Sequence, residues 1–189
     1  MDYVKTIMNQ RYKIFFLFIL ILNYSCNRTE KDRNMTTSMS VEKGKAAPLF
    51  SLPDQNGKQV SLADFKNKSN VVLFFYPKDE SFGCTKEACG FRDSYEDFRD
   101  AGAEVIGISA DNESSHRAFA AHHKLPFHLL TDKDRKVAEA YGIHNTLGFL
   151  PGRVTFVIDK SGIIRMEYSS QVNFQKHIER SLELLKNLK

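Results

Sequence analysis

The residues of this chain best suited to chemistry are two cysteines in the run Gly83-Cys84-Thr85-Lys86-Glu87-Ala88-Cys89-Gly90-Phe91-Arg92-Asp93. Cys84 follows a loop that leaves an apolar run ended by Pro77, and it opens a stretch with helical periodicity. Its thiol therefore belongs at a strand-to-helix junction, on the carboxyl side of a core strand, where α/β proteins put their reacting groups. A thiol at a helix start faces unsatisfied amide donors and the positive end of the helix dipole. Both favour the thiolate, which is the nucleophilic form. A cysteine alone is usually a small buried hydrophobe, so the position at a helix start is what sets Cys84 apart.

Cys89 completes a C-x4-C pattern. On a helix the two positions differ by about 140° around the axis and about 7.5 Å along it. Cα atoms more than about 7 Å apart cannot be bridged without backbone movement. A Cys84–Cys89 disulfide would therefore require the first turns of the helix to unwind, and a closed pair is not the resting geometry. Ala88, Phe91, Tyr95 and Phe98 make the apolar stripe, while Cys89 falls with Arg92, Asp93 and Glu96 on the polar face. Glu87 reads equally well as a partner for an arginine in the site or as a first-turn residue complementing the dipole.

The elements that must hold these residues are legible from pattern. Phe50–Leu52 and Gln59–Leu62 flank Asp54-Gln55-Asn56-Gly57, a hairpin signal. Val71–Tyr76 is a continuous apolar run and predicts a buried central strand, followed by a helix from near Cys84 to about Ala101. Ala103–Ser109 is a second buried strand, and Asp111 or Asn112 can cap a helix that must end before Pro126. Phe127–Leu130 is a short strand and Asp134–Tyr141 a short helix stopped by Gly142. Arg153–Asp159 and Gly162–Tyr168 form a hairpin, and Phe174, Ile178, Leu182, Leu185 and Leu188 mark a closing helix whose stripe packs on the core. This order predicts an α/β protein with a central mixed β-sheet flanked by helices, and a thioredoxin-like fold fits it best.

With 189 residues, 42% hydrophobic and 26% charged, the chain has room for one globular domain and excludes collagen-like or wholly disordered classes. A net charge of +4, scattered along the chain, gives no nucleic-acid surface. Three cysteines cannot make a disulfide scaffold. The histidines His116, His122, His123, His128, His144 and His177 show neither H-x-x-x-H nor C-x-x-C company, so no metal ligand and no bound cofactor are expected. The adjacent His122 and His123 should point to different faces of their helix, in solvent. Lys78-Asp79-Glu80 reads as loop surface.

Lys5, Arg11 and Lys13 precede the apolar run from Ile14 to Leu22, which is too short to span a bilayer and has the shape of an export signal. Cys26 after Ser25 resembles the lipobox of bacterial lipoproteins. Residues 1–25 are thus expected to be a signal peptide, Cys26 a lipidated membrane attachment, 26–47 a polar tether and 48–189 the folded domain. The expected location is the cell envelope, as a lipoprotein facing the periplasm. A start at Met35 or Met39 would instead leave a cytoplasmic protein.

Residues 45–189, through PLFSLPDQNGK, FFYPKD, GCTKEACGFRD, LPFHLLTD, AYGI and RVTFVIDKSG, resemble the peroxiredoxins, specifically the peroxiredoxin Q or bacterioferritin comigratory protein group. A site of the form P-x-x-x-T-x-x-C falls on Pro77, Ser81 and Cys84. The resemblance implies that Cys84 is the peroxidatic cysteine and Cys89 the resolving one. It also implies that Ser81 hydrogen-bonds the thiolate and the peroxide, that Arg153 stabilises thiolate and developing oxyanion, and that Pro77 shapes the pocket. Hydrogen peroxide and organic hydroperoxides would be the substrates, thioredoxin or a periplasmic dithiol protein the reductant, and the molecule a monomer. Ser81 stands where Thr is usual and Phe82 where Pro is usual; neither change removes a required group.

Other readings of the same fold are an exported thiol–disulfide oxidoreductase, a redox sensor or a copper-delivery protein. The first uses C-x-x-C rather than the C-x4-C found here, and the last needs a closer cysteine pair with a converging histidine. A sensor would use the same Cys84 chemistry without continuous turnover.

Overall fold

The computed structural model describes residues 41–145 and 152–188. Residues 1–25, Cys26, Met35 and Met39 lie outside them. Strands β1 (Ser51–Pro53) and β2 (Gln59–Ser61) form a small antiparallel hairpin. The main sheet comprises β3 (Asn70–Phe75), β4 (Ala103–Ser109), β5 (His128–Thr131), β6 (Val154–Ile158) and β7 (Ile164–Ser169), in the order β5-β4-β3-β6-β7. β3, β4 and β5 run parallel, and β6 and β7 antiparallel to their neighbours. The helices are α1 (Phe82–Asp93), α2 (Tyr95–Asp100), α3 (Glu113–His123), α4 (Lys136–Ala140) and α5 (Phe174–Lys186). This is the expected thioredoxin-like α/β fold with a central mixed sheet.

β3 is buried along its whole length, and its side chains alternate between two cores. Val71, Leu73 and Phe75 join Ile106, Ile108, Tyr141 and Phe156 on one face. Val72, Phe74 and Tyr76 meet Cys84, Ala88 and Phe91 of α1, with Phe119 and Ile178, on the other. The period of two in a strand covered on both faces explains why the run reads as continuously apolar.

Two boundaries differ from the pattern. The helix expected as continuous to Ala101 is broken at Ser94, which has φ −105° and ψ 13° and ends α1 while starting α2. A one-residue interruption with apolar residues on both sides leaves the 3.6-residue spacing nearly intact, so periodicity does not register it. The end of the expected tether also belongs to the fold. Ala47 is buried, and Gly44 and Ala47 donate to the carbonyls of Ile164 and Gly162 at 2.8 and 2.9 Å, tying the segment to the β6–β7 hairpin. Among the described residues no helix is long and apolar enough to cross a membrane.

Candidate active site

Cys84 sits in the first turn of α1, 1% exposed, with Pro77 and Ser81 in the loop that leads from β3. Arg153 arrives from the other side of the sheet's centre. Because β3 and β6 are antiparallel with Phe75 opposite Val154, the end of one strand meets the start of the other. Arg153, one residue before β6, therefore reaches the loop that carries Cys84, although 69 positions separate them. Its Nη2 donates to Cys84 Sγ at 3.2 Å, and its Nη1 donates to Glu87 Oε2 in a short ion pair. A fixed guanidinium against the sulfur stabilises negative charge there. Arg153 is buried, not the exposed partner of a surface carboxylate, and its guanidinium lies over the Phe174 ring, 4.9 Å from the centroid. Gly83 permits this approach, since a Cβ there would stand 2.8 Å from Phe174 Cζ and 3.2 Å from Arg153 Nη2.

Behind the arginine lies a polar layer that the sequence does not announce. Glu87 is fully buried, which decides between its two readings in favour of the arginine partner. Burial lifts its carboxyl to about 7, against the opposing pull of Arg153. Among the described residues its second oxygen, Oε1, has no hydrogen-bond partner, and it lies 3.4 Å from His177 Nδ1. His177 Nε2 donates to the Ser170 carbonyl at 3.1 Å, leaving Nδ1 as an acceptor for the Thr155 hydroxyl at 2.8 Å. Burial lowers the His177 pKa to about 4, so the ring is neutral near pH 7. Thr155, a polar residue inside the apolar strand VTFVI, was the available sign of this layer.

The loop between β3 and α1 is tied from below by Asp79, which is 5% exposed rather than a surface residue. Its carboxylate accepts from Tyr76 Oη and Ser115 Oγ, each at 2.7 Å, and meets His116 Nδ1 at 2.9 Å. Burial alone would raise its pKa, but these partners, His116 foremost, outweigh it and lower the pKa. The Asp79 amide donates to Asp111 Oδ2 at 2.9 Å.

Ser81 departs from its expected contact. Its hydroxyl donates to the Lys78 carbonyl at 3.0 Å instead of to Cys84, so the side chain braces the loop and offers only lone pairs toward the pocket. Phe82 is 75% exposed at the pocket mouth beside Val172, with Lys86 Nζ 4.3 Å above its ring. Pro77, Ser81, Phe82, Arg153, Val172 and Phe174 line this pocket, and most of that lining is apolar. Cys84 and Cys89 are both free thiols on one regular helix, Cys89 half-buried with its Sγ 4.0 Å from His123 Nδ1. His122 and His123 do not diverge as expected: both rings turn to Glu80.

The AhpC/TSA family model matches residues 43–167. The chain belongs to that family. Within it, the chloroplastic peroxiredoxin Q of Sedum lineare is 53% identical over 150 residues, covering 79% of this chain and 80% of that protein. The crystal structure of the peroxidoxin BcpB from Mycobacterium tuberculosis superposes with a TM-score of 0.73 at 35% identity, over 79% of this chain and 99% of that one. A structure described for the alkyl peroxide reduction activity of the Xanthomonas campestris bacterioferritin comigratory protein matches with a TM-score of 0.68 at 28% identity, over 74% of this chain and 91% of that one. The chain is thus a thiol peroxidase of the peroxiredoxin Q group, an oxidoreductase acting on peroxides with a thioredoxin-type reductant. The plain oxidoreductase, sensor and copper-delivery readings give way to it. The expected location is corrected as well: the similar peroxiredoxin Q proteins are chloroplastic, not periplasmic lipoproteins.

Proposed function

We propose that Cys84 is the peroxidatic cysteine, and the observation that carries this is the Arg153 guanidinium held 3.2 Å from its sulfur at the start of α1. The Cys84 thiolate attacks the terminal oxygen of a hydroperoxide. An S–O bond forms, the O–O bond breaks, and the sulfur is oxidised by two electrons to sulfenic acid. The leaving alkoxide or hydroxide takes up a proton and departs as alcohol or water. Arg153 stabilises charge on sulfur at the outset and on oxygen as it develops, without reorganising between the two. Ser81 accepts a hydrogen bond from the incoming peroxide through its free lone pairs, and Pro77 closes the pocket against solvent.

Cys89 is the resolving cysteine. Its thiolate attacks the sulfenic sulfur, releasing water and closing a disulfide, which a dithiol protein such as thioredoxin returns to two thiols. Closure needs the first turns of α1 to unwind, as both cysteines occupy one helix. The apolar rim of Phe82 and Val172 favours organic hydroperoxides alongside hydrogen peroxide.

The test is thioredoxin-coupled hydrogen peroxide consumption by the wild type beside Cys84→Ser and Cys89→Ser. Turnover should vanish in Cys84→Ser, while Cys89→Ser should consume one equivalent of peroxide and then stop with thioredoxin as the only thiol. Sustained turnover by Cys84→Ser would refute the assignment.

A further inference from the structure

We propose that Glu80, His122 and His123 form a binding site for a borderline divalent cation, with Zn2+ the best fit, and that the filled site latches the Cys84 loop in its folded form. The three side chains come from two elements: Glu80 from the loop before α1, the histidines from the last turn of α3. Glu80 Oε1 lies 3.0 Å from His122 Nδ1 and Oε2 lies 2.9 Å from His123 Nε2. All three donor atoms fall within 4.8 Å of one another, close to the span that neighbouring ligands of one small cation require.

Adjacent residues on a helix point about 100° apart, so this convergence needs explaining. His122 reaches with the near ring nitrogen and His123 with the far one, which brings two diverging side chains to one carboxylate. Two imidazoles and a carboxylate are a donor set that suits zinc, with the exposed side left for water. The carboxyl end of α3 adds the negative end of a helix dipole.

The second nitrogen of His123 gives the site its consequence. Nδ1 lies 4.0 Å from Cys89 Sγ. A cation on Nε2 fixes the remaining ring proton on Nδ1, pointing at that sulfur. Arg92 Nη1 donates to the His123 carbonyl at 2.8 Å while its own charge is met by Asp93, which further joins α1 to the end of α3. A bound cation would therefore tie the loop, α1 and α3 together, opposing the unwinding that a Cys84–Cys89 disulfide demands. This consequence rests on the cysteine roles proposed above; the binding site does not.

The experiment has two arms on the full chain. In the first, Zn2+ is titrated against a chromophoric chelator in the thiol-free Cys26→Ser/Cys84→Ser/Cys89→Ser protein, alone and with Glu80→Gln or His122→Ala added. The thiol-free protein should take up one Zn2+, and each added substitution should weaken it about tenfold or more. No uptake, or uptake indifferent to both substitutions, overturns the site. In the second, disulfide formation after a peroxide pulse is timed in wild type with and without Zn2+. Zinc should slow it several-fold, and His122→Ala should abolish the slowing. Unchanged closure with zinc bound, or slowing that survives in His122→Ala, overturns the latch. Absence of any disulfide in metal-free wild type would count against the cysteine roles alone, with the first arm still deciding the site.

Discussion

Cys84, Arg153, Glu87 and His177 form one buried line from sulfur to imidazole, and its members differ in how readable they are. Cys84 is legible from its place at a helix start. Arg153 is legible only through the resemblance, because nothing local in RVTFVI says what the guanidinium touches. His177 escapes notice because a histidine on an amphipathic helix looks like any other half-polar residue until Thr155 and Glu87 are set against it. The layer makes a prediction about protons. In the unfolded chain between pH 4.5 and 6.5, His177 carries a proton and Glu87 does not; folded, with values of about 4 and about 7, the proton sits on Glu87. Folding thus moves a proton between them with no net uptake, and the pair adds no slope to stability over that window. Single substitutions should expose the two opposing halves. In Glu87→Gln only the depressed His177 remains, so stability should rise as pH climbs from 4 to 6.5. In His177→Asn only the raised Glu87 remains, so stability should fall as pH climbs from 4.5 to 7. Each slope should approach about 1 kcal/mol per pH unit in urea denaturation. A flat profile in His177→Asn would mean that Glu87 stays ionised beside Arg153, and a flat one in Glu87→Gln that His177 is not held neutral by burial.

The elements around the site follow the sequence where one interaction dominates and depart where several compete. The central strands β3, β4 and β6 are placed to within a residue or two because burial on both faces leaves mostly apolar choices. Asn112 caps α3 as its type suggests, accepting from the Ser115 amide at 2.9 Å. The loop of Lys78, Asp79 and Glu80 shows the opposite case. Its charges suggest solvent, yet Asp79 is taken inside by Tyr76, Ser115 and His116, partners contributed by β3's end and by α3. Composition cannot distinguish a charge facing water from one facing donors 36 and 37 positions away. Asp79→Ala should take the shared carboxylate from the buried Tyr76 and His116 and from the half-buried Ser115, at a cost of about 2–4 kcal/mol in unfolding free energy. Because the native pKa of Asp79 is depressed below 3.8, its contribution is complete above that pH and is lost as pH falls further, through the native value. The wild-type excess over Asp79→Ala should therefore shrink in acid denaturation below pH 3.8 and stay constant above it. An excess that persists unchanged at lower pH would show that the carboxylate is not what anchors the loop.

At the scale of the whole molecule, the sheet is the rigid part and α1 the part built to leave it. β3 is hydrogen-bonded on both sides, to β4 and β6, and its register fixes where Arg153 stands. α1 is held instead by side chains: Ala88 and Phe91 against Phe74, and Gly90 against Ile178, where a Cβ would come within 3.1 Å of Ile178 Cδ1. Helix packing of this kind can be released without breaking the sheet, and such local opening lies at the low-stability end of a fold. Closing the Cys84–Cys89 disulfide should spend that reserve. The short loop it closes removes entropy from the unfolded chain and so stabilises the fold by about 2 kcal/mol at most. Against this stand the loss of Cys84 from the core and the separation of Glu87 from Arg153, the loss of a buried hydrogen bond to a charged group that costs about 1.5–3 kcal/mol. The oxidised protein should therefore melt below the reduced one despite its crosslink, by about 2–4 °C for each kcal/mol lost. Hydrogen exchange should assign the loss: amides of 82–90 should exchange much faster in the oxidised form, while those of β3 and β4 keep their protection. Equal protection of α1 in both forms, or a higher melting temperature on oxidation, would mean that the helix accommodates the disulfide without unwinding.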